Sequence, residues 1–297
     1  MEGTTTTEPI LAILGHPIAG NPSQFAIERA LREMELDWRV LSFDVSVDNI
    51  PTALDGFHVL GIRGVLVDPS VSHAVARWAR GKMLTVSSEE AASTDQPSEP
   101  TETSSDLNVQ NDSKHASDNE ASDVSLGEAD TSTLPTVDCL YRDEHGQFRA
   151  SCELANWLSL TITKIDASGV THDPDESSAW VWIGEPDQEA IPICAIPRGK
   201  VISLPPDPNT LENATFIVIF DQRELELEDW PRDDGSTIII DLTPGHPNRQ
   251  QLEALGYRVI DEMERRLATL CGCLMRWSEK DAPREVISDA LEEYLGV

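Results

Sequence analysis

The stretch Ile10-Leu-Ala-Ile-Leu-Gly-His-Pro-Ile-Ala-Gly-Asn-Pro-Ser23 starts as an apolar run of strand length and then breaks. Gly15, Pro17, Gly20 and Pro22 make the break a structured turn. Over 24–34, Phe25, Ile27, Ala30, Leu31 and Met34 then recur at helical spacing. Strand, turn and helix in this order put Asn21 and Ser23 between a strand end and a helix start, the edge at which open α/β sheets collect ligands. On spacing alone Ser23 reads as the N-cap of the helix.

Outward from this unit the pattern repeats. Residues 38–45 read as a strand, 49–60 as a helix with Pro51 in its first turn, 61–67 as a third strand and 71–78 as another helix. Alternation of strand and helix at this spacing predicts an α/β domain. Residues 137–141 and 147–150 flank the turn Arg142-Asp-Glu-His-Gly146 as a hairpin, and 152–162 read as a connecting helix. Strands follow at 180–184, 200–204, 216–220, 237–241 and 257–260, with continuous apolar runs of the parallel-sheet kind at 216–220 and 237–241. Helices are expected at 250–255, 263–277 and 283–294.

Composition changes abruptly between these halves. Residues 86–136 hold 12 acidic residues, one lysine and no aromatic residue. Such a segment buries too little apolar surface to offset its chain entropy, so its composition predicts disorder. The whole chain has 53 acidic against 22 basic residues, a formal charge of −31. A surface this acidic repels phosphate backbones and anionic lipid, which argues against nucleic acid and membrane as partners. The polar, Thr-rich start and the lack of any membrane-length apolar run predict a cytoplasmic protein. Five scattered cysteines (Cys139, Cys152, Cys194, Cys271, Cys273) read as reduced core thiols rather than a metal site.

Several motifs together resemble the shikimate dehydrogenase family. Gly15-His-Pro-Ile-Ala-Gly-Asn-Pro-Ser23 resembles the family's carboxylate-binding turn, Gly-Asn-Pro-Ile-x-His-Ser-x-Ser. Leu60-Gly-Ile-Arg-Gly-Val-Leu-Val67 resembles its Leu-Gly-Φ-x-Gly-Φ-Asn-Val strand, where Φ is apolar. Ile239-Ile-Asp241, Leu255-Gly-Tyr-Arg-Val-Ile-Asp261 and a helix carrying Trp277 follow in the family's order. The resemblance implies a two-domain α/β protein: a substrate domain at 8–85, an abbreviated Rossmann-like parallel-sheet domain at 166–262, and helices at 263–297 that pack back on the first domain. The disordered acidic insertion at 86–136 interrupts this plan, and the hairpin with its connecting helix occupies 137–165. The implied reaction is NADPH-dependent reduction of 3-dehydroshikimate to shikimate.

Carried over position by position, the substrate-binding residues are Asn21, Ser23 and, at the family's helix glutamine, Thr269. The asparagine of the third strand falls on Leu66, and the catalytic lysine falls on Ser72, beside His73. A serine supplies no cationic donor to a developing alkoxide. His73 and Glu153 are the substitute acid–base candidates, His73 because its ordinary pKa suits proton transfer near neutrality. Gly184 stands where the cofactor turn would begin, yet Glu185-Pro-Asp-Gln188 follows it. Two carboxylates and a proline there bring negative charge and remove an N–H where a pyrophosphate needs donors. Only 31 residues, Glu185 to Thr215, lie between Gly184 and the strand at Phe216, so a helix and a strand of the family plan are missing. Arg198 is the sole candidate for reading the NADP phosphate.

The sequence therefore predicts a shikimate dehydrogenase-like protein that has lost its chemistry, does not bind NADP, and is retained to bind a small carboxylate such as shikimate or to regulate. One alternative is an active dehydrogenase using His73 and Glu153. Another is an interaction protein acting through the acidic segment.

Overall fold

Side chains alternate along β1 (Ile10–Gly15), and this alternation sets the two sides of the first sheet. Leu11 and Ile13 enter one apolar layer while Ala12 and Leu14 enter the other, all buried, as the two-residue period of a strand requires. The computed structural model describes residues 8–81, 136–167, 179–184, 200–202, 211–212, 214–220, 225–243 and 248–296. The acidic segment up to residue 135, the run Glu185 to Gln188, Cys194 and Arg198 lie outside the described residues.

After β1 come α1 (Ser23–Glu33), β2 (Arg39–Asp44), α2 (Ile50–Val59), β3 (Gly64–Val67) and α3 (residues 72–81). The hairpin of β4 (Cys139–Arg142) and β5 (Phe148–Ser151) completes a sheet of order β2-β1-β3-β4-β5. Its first three strands are parallel, and β4 and β5 run antiparallel. The parallel strands thus end together at Gly15, Asp44 and Val67.

Helix α4 (Glu153–Ala167) leads to a second sheet made of β6 (Ala179–Ile183), β7 (Lys200–Ile202), β8 (Ala214–Ile219), β9 (Ile238–Asp241) and β10 (Arg258–Ile260), with α5 (Arg249–Ala254) between the last two. All its pairings are parallel, in the order β10-β9-β8-β6-β7. A dinucleotide-binding sheet has the order 3-2-1-4-5-6. Leaving out its third strand gives the order seen here among the described residues, which agrees with the short spacing between Gly184 and Phe216.

The last helices, α6 (Glu262–Ser278) and α7 (Arg284–Leu295), leave the second sheet and join α1 on one face of the first. Asp261 caps α6 by accepting the Glu264 N–H at 2.8 Å, and Arg249 pairs with the same carboxylate. Trp277 is buried under the first sheet and donates its Nε1–H to the Leu140 carbonyl at 3.0 Å. Helices α2 and α3 cover the opposite face. In the second sheet Phe216, Val218, Ile238 and Ile240 face the layer that holds Leu158 of α4, and Ile217, Ile219 and Ile239 face the other. No helix among the described residues is long and apolar enough to cross a membrane.

Candidate functional site

The turn after β1 is held by a carboxylate from the end of β3. A side chain at Gly15 would place its Cβ 2.8 Å from Asp68 Cβ and 2.7 Å from Ile18 Cδ1, so the glycine is what lets these strand ends approach. Asp68 Oδ2 accepts the Asn21 amide N–H at 2.9 Å, and its Oδ1 accepts the backbone N–H and hydroxyl of Ser70 at 3.0 and 2.7 Å. Asn21 Oδ1 in turn accepts the Ser23 backbone N–H at 2.9 Å. This corrects the reading of Ser23 as an N-cap. Pro22 occupies that position without a side-chain bond, Ser23 is the first helical residue, and Asn21 satisfies its N–H. The Ser23 side chain, buried to 3 % exposure, is left facing a cleft.

That cleft has a volume of about 340 Å3 and is bordered by both sheets. The turn contributes Asn21 and Ser23, β3 contributes Leu66 and Val67, and α6 contributes Thr269 and Leu270. Leu242, just past β9, and Leu154 of α4 close it from the second sheet's side. Four positions singled out in the sequence (Asn21, Ser23, Leu66 and Thr269) therefore meet around one space. Thr269 spends its hydroxyl proton on the Arg265 carbonyl at 3.1 Å, so it offers the cleft lone pairs rather than a donor.

The acid–base candidates are placed elsewhere. Ser72 is buried, donating to the Val137 carbonyl at 2.8 Å and accepting the Val137 N–H at 2.9 Å. His73 is not among the residues that border the cleft, and its buried Nε2 has no hydrogen-bond partner among the described residues. Glu153 accepts Arg276 Nε at 3.0 Å and Ser151 Oγ at 2.7 Å on one oxygen and Asn156 Nδ2 at 3.4 Å on the other. These bonds tie α4 to α6, and Glu153 is not among the residues that border the cleft.

Charged residues that the sequence reading passed over also border the cleft: Asp138, Arg265 and the ion pair of Glu262 with Arg266. Asp138 accepts the backbone N–H groups of Glu153 and Leu154 at 2.7 and 2.9 Å, capping α4. Burial pushes its carboxyl up to about 6 against the pull of those N–H bonds, and neighbouring Glu153 adds to the rise. Arg265 donates Nε–H to the Asp261 carbonyl at 3.3 Å and makes no ion pair among the described residues. Burial lowers its pKa, while Glu262 and Asp241 favour its charge without reaching ion-pair distance. A sequence signal for Arg265 existed. It lies one helical turn before Thr269, and residues four apart share a helix face.

Comparison with known proteins settles the architecture. No protein-family model matches the chain. A shikimate dehydrogenase (NADP(+)) of Methanothermobacter thermautotrophicus is 30% identical over 69 residues, 23% of this chain and 24% of that protein. The chain thus matches about a quarter of the length of this curated relative. A shikimate 5-dehydrogenase of Thermus thermophilus in complex with shikimate superposes with a TM-score of 0.58 at 15% identity, over 97% of this chain and 100% of that one. The same enzyme in complex with NADP(H) and shikimate gives 0.59 at 13% identity, over 96% and 99%. A 5-ketofructose reductase of a Gluconobacter species gives 0.60 at 13%, over 97% and 99%. The fold is that of the shikimate dehydrogenases.

In a shikimate dehydrogenase fold the second sheet is where a dinucleotide would lie, at the switch point between β6 and β8. Gly184 ends β6 there with φ +84°. Among the described residues no second glycine follows at the carboxyl ends of β6, β8 or β9. Asp241 ends β9 fully buried, its Oδ1 taken by the backbone and hydroxyl of Thr243 at 2.9 and 2.6 Å and its Oδ2 without a hydrogen-bond partner among the described residues. Among the described residues this edge thus presents a buried carboxylate, whereas a pyrophosphate calls for N–H groups and positive charge.

Proposed function

We propose that this shikimate dehydrogenase-like chain binds a small carboxylate in the cleft between its two sheets and does not transfer hydride. The observation that carries this reading is the state of Ser72. At the position where the resemblance expects the catalytic lysine, a buried hydroxyl is fully engaged by the main chain of Val137. Glu153 is likewise committed to Arg276 and Ser151. Support for carboxylate binding comes from Ser23, Asn21 and Arg265, which keep donors available at the cleft.

Purified protein titrated with NADPH while its tryptophan fluorescence is followed tests the first half. The expected result is no saturable change up to millimolar cofactor and no oxidation of shikimate. Tight NADPH binding, or turnover, would overturn it. Ligand-observed NMR with small carboxylates tests the second half, and no binding by any of them would overturn that.

One observation favours a second reading, an active dehydrogenase with a substituted proton donor: Asp138 borders the cleft, and burial pushes its carboxyl up to about 6. Shikimate oxidation that is present in the natural protein and lost in Asp138→Asn would establish this alternative.

A further inference from the structure

Resting on the carboxylate-binding reading above, we infer that the ligand of this cleft is a monoanionic carboxylate carried on an apolar ring, held by Arg265 and Ser23, rather than a polyhydroxylated acid.

The first argument is charge. In a chain with 53 acidic and 22 basic residues, a guanidinium has abundant carboxylates to meet. Arg266, the next residue, pairs with Glu262 at 2.8 Å, and Arg276 pairs with Glu153 at 3.0 Å. Arg265 makes no such pair among the described residues although it borders the cleft. A guanidinium withdrawn from water is unfavourable unless an anion and hydrogen bonds replace its hydration. With Nε spent on the Asp261 carbonyl, the two terminal amino groups remain, and their fork matches the two oxygens of a carboxylate. Ser23 Oγ makes no hydrogen bond among the described residues, and Asn21 has one amide N–H left after its bond to Asp68. These donors converge on the same space from α1, its preceding turn and α6.

The second argument is the wall. Leu66, Val67, Pro69, Leu154, Leu242 and Leu270 border the cleft. A ligand bearing several hydroxyls would lose water against these side chains without recovering its hydrogen bonds, which is unfavourable for each unpaired group. The polar groups otherwise present are already committed. Asp68 is held by Asn21 and Ser70, Asp138 by the start of α4, Glu262 and Arg266 pair with each other at 2.8 Å, and the Thr269 hydroxyl donates to the Arg265 carbonyl. An apolar ring would bury against the leucines at no such loss.

The test uses the full-length chain and three probes, benzoate, cyclohexanecarboxylate and shikimate, by isothermal titration and ligand-observed NMR at pH 7. Benzoate or cyclohexanecarboxylate is expected to bind at least about tenfold more tightly than shikimate. Arg265→Leu should weaken the binding of benzoate by at least about tenfold, with Arg265→Lys intermediate because a point charge replaces the fork. Leu66→Asn should narrow the preference by restoring a hydrogen-bonding group to the wall. Shikimate bound more tightly than either ring acid overturns this inference while leaving the carboxylate reading intact. No binding of any probe overturns both. Benzoate binding unchanged in Arg265→Leu, with a folded circular dichroism spectrum, overturns the role of Arg265.

Discussion

Ser72 Oγ and the main chain of Val137 exchange two hydrogen bonds, the hydroxyl donating at 2.8 Å and accepting at 2.9 Å. This pair fastens the start of α3 to the strand segment that enters β4 across 65 residues of sequence. Ser72→Ala would leave a buried N–H and C=O of Val137 unpaired, at about 1–3 kcal/mol. Chemical denaturation should show that loss. Ser72→Lys, which would return the lysine that the resemblance expects, should destabilise more and yield no shikimate oxidation, because the site has no room or solvent for an ammonium.

Gly64 lies under the indole of Trp277. A Cβ at residue 64 would sit 2.2 Å from Nε1 and 2.3 Å from Cδ1 of that ring. Trp277 cannot give way cheaply, since it is buried and hydrogen-bonded to Leu140. Gly64→Ala should therefore cost about 3 kcal/mol or more through overpacking, lower the melting temperature and shift the tryptophan emission to the red as α6 loosens.

Glu153 and Arg276 join α4 to α6, and the close packing depends on Gly272, where a Cβ would meet Glu153 Cβ at 2.7 Å. Arg276→Ala should destabilise by about 1–2 kcal/mol, less than for a fully buried pair because Arg276 is half exposed. Glu153→Gln should likewise reduce stability while leaving benzoate affinity unchanged. A loss of affinity with stability preserved would put Glu153 in the site after all.

Asp138 links stability to pH with an unusual sign for a carboxylate. Its folded pKa of about 6 lies above the ordinary value of 3.8, so between these values the folded state holds more proton than the unfolded one. The stabilisation by the neutral form is present below about pH 4 and is lost as pH rises through about 6. The difference amounts to about 3 kcal/mol at most. Urea midpoints measured from pH 4 to pH 7 should show this falling contribution as the difference between the natural protein and Asp138→Asn, in which the slope disappears.

Much of the architecture could be read from local pattern. The runs at 10–14, 216–220 and 237–241 are apolar at both faces because their strands lie between two layers, so burial itself wrote the signal. The helix at 263–277 was visible because one face of α6 must bury Leu267, Leu270, Leu274 and Trp277. The short spacing between Gly184 and Phe216 agrees with the five strands that the second sheet has among the described residues. Ser23, by contrast, was misread as a cap. Both roles, cap and first helical residue, suit a serine before a helix, and only the Asn21 side chain turning back to the Ser23 N–H distinguishes them.

The candidate site divides along the same line. Residue types at motif positions placed Asn21, Ser23, Leu66 and Thr269 in one list, and covalent order alone sufficed for that. What each group can do depended on partners distant in sequence. Ser72 is engaged by Val137, Glu153 is paired with Arg276, and no carboxylate among the described residues comes within pairing distance of Arg265. Hydrogen-bond commitment and desolvation are properties of neighbours in space, so the sequence determined which side chains the chain carries to the cleft, and the tertiary structure decided which of them are still free to bind.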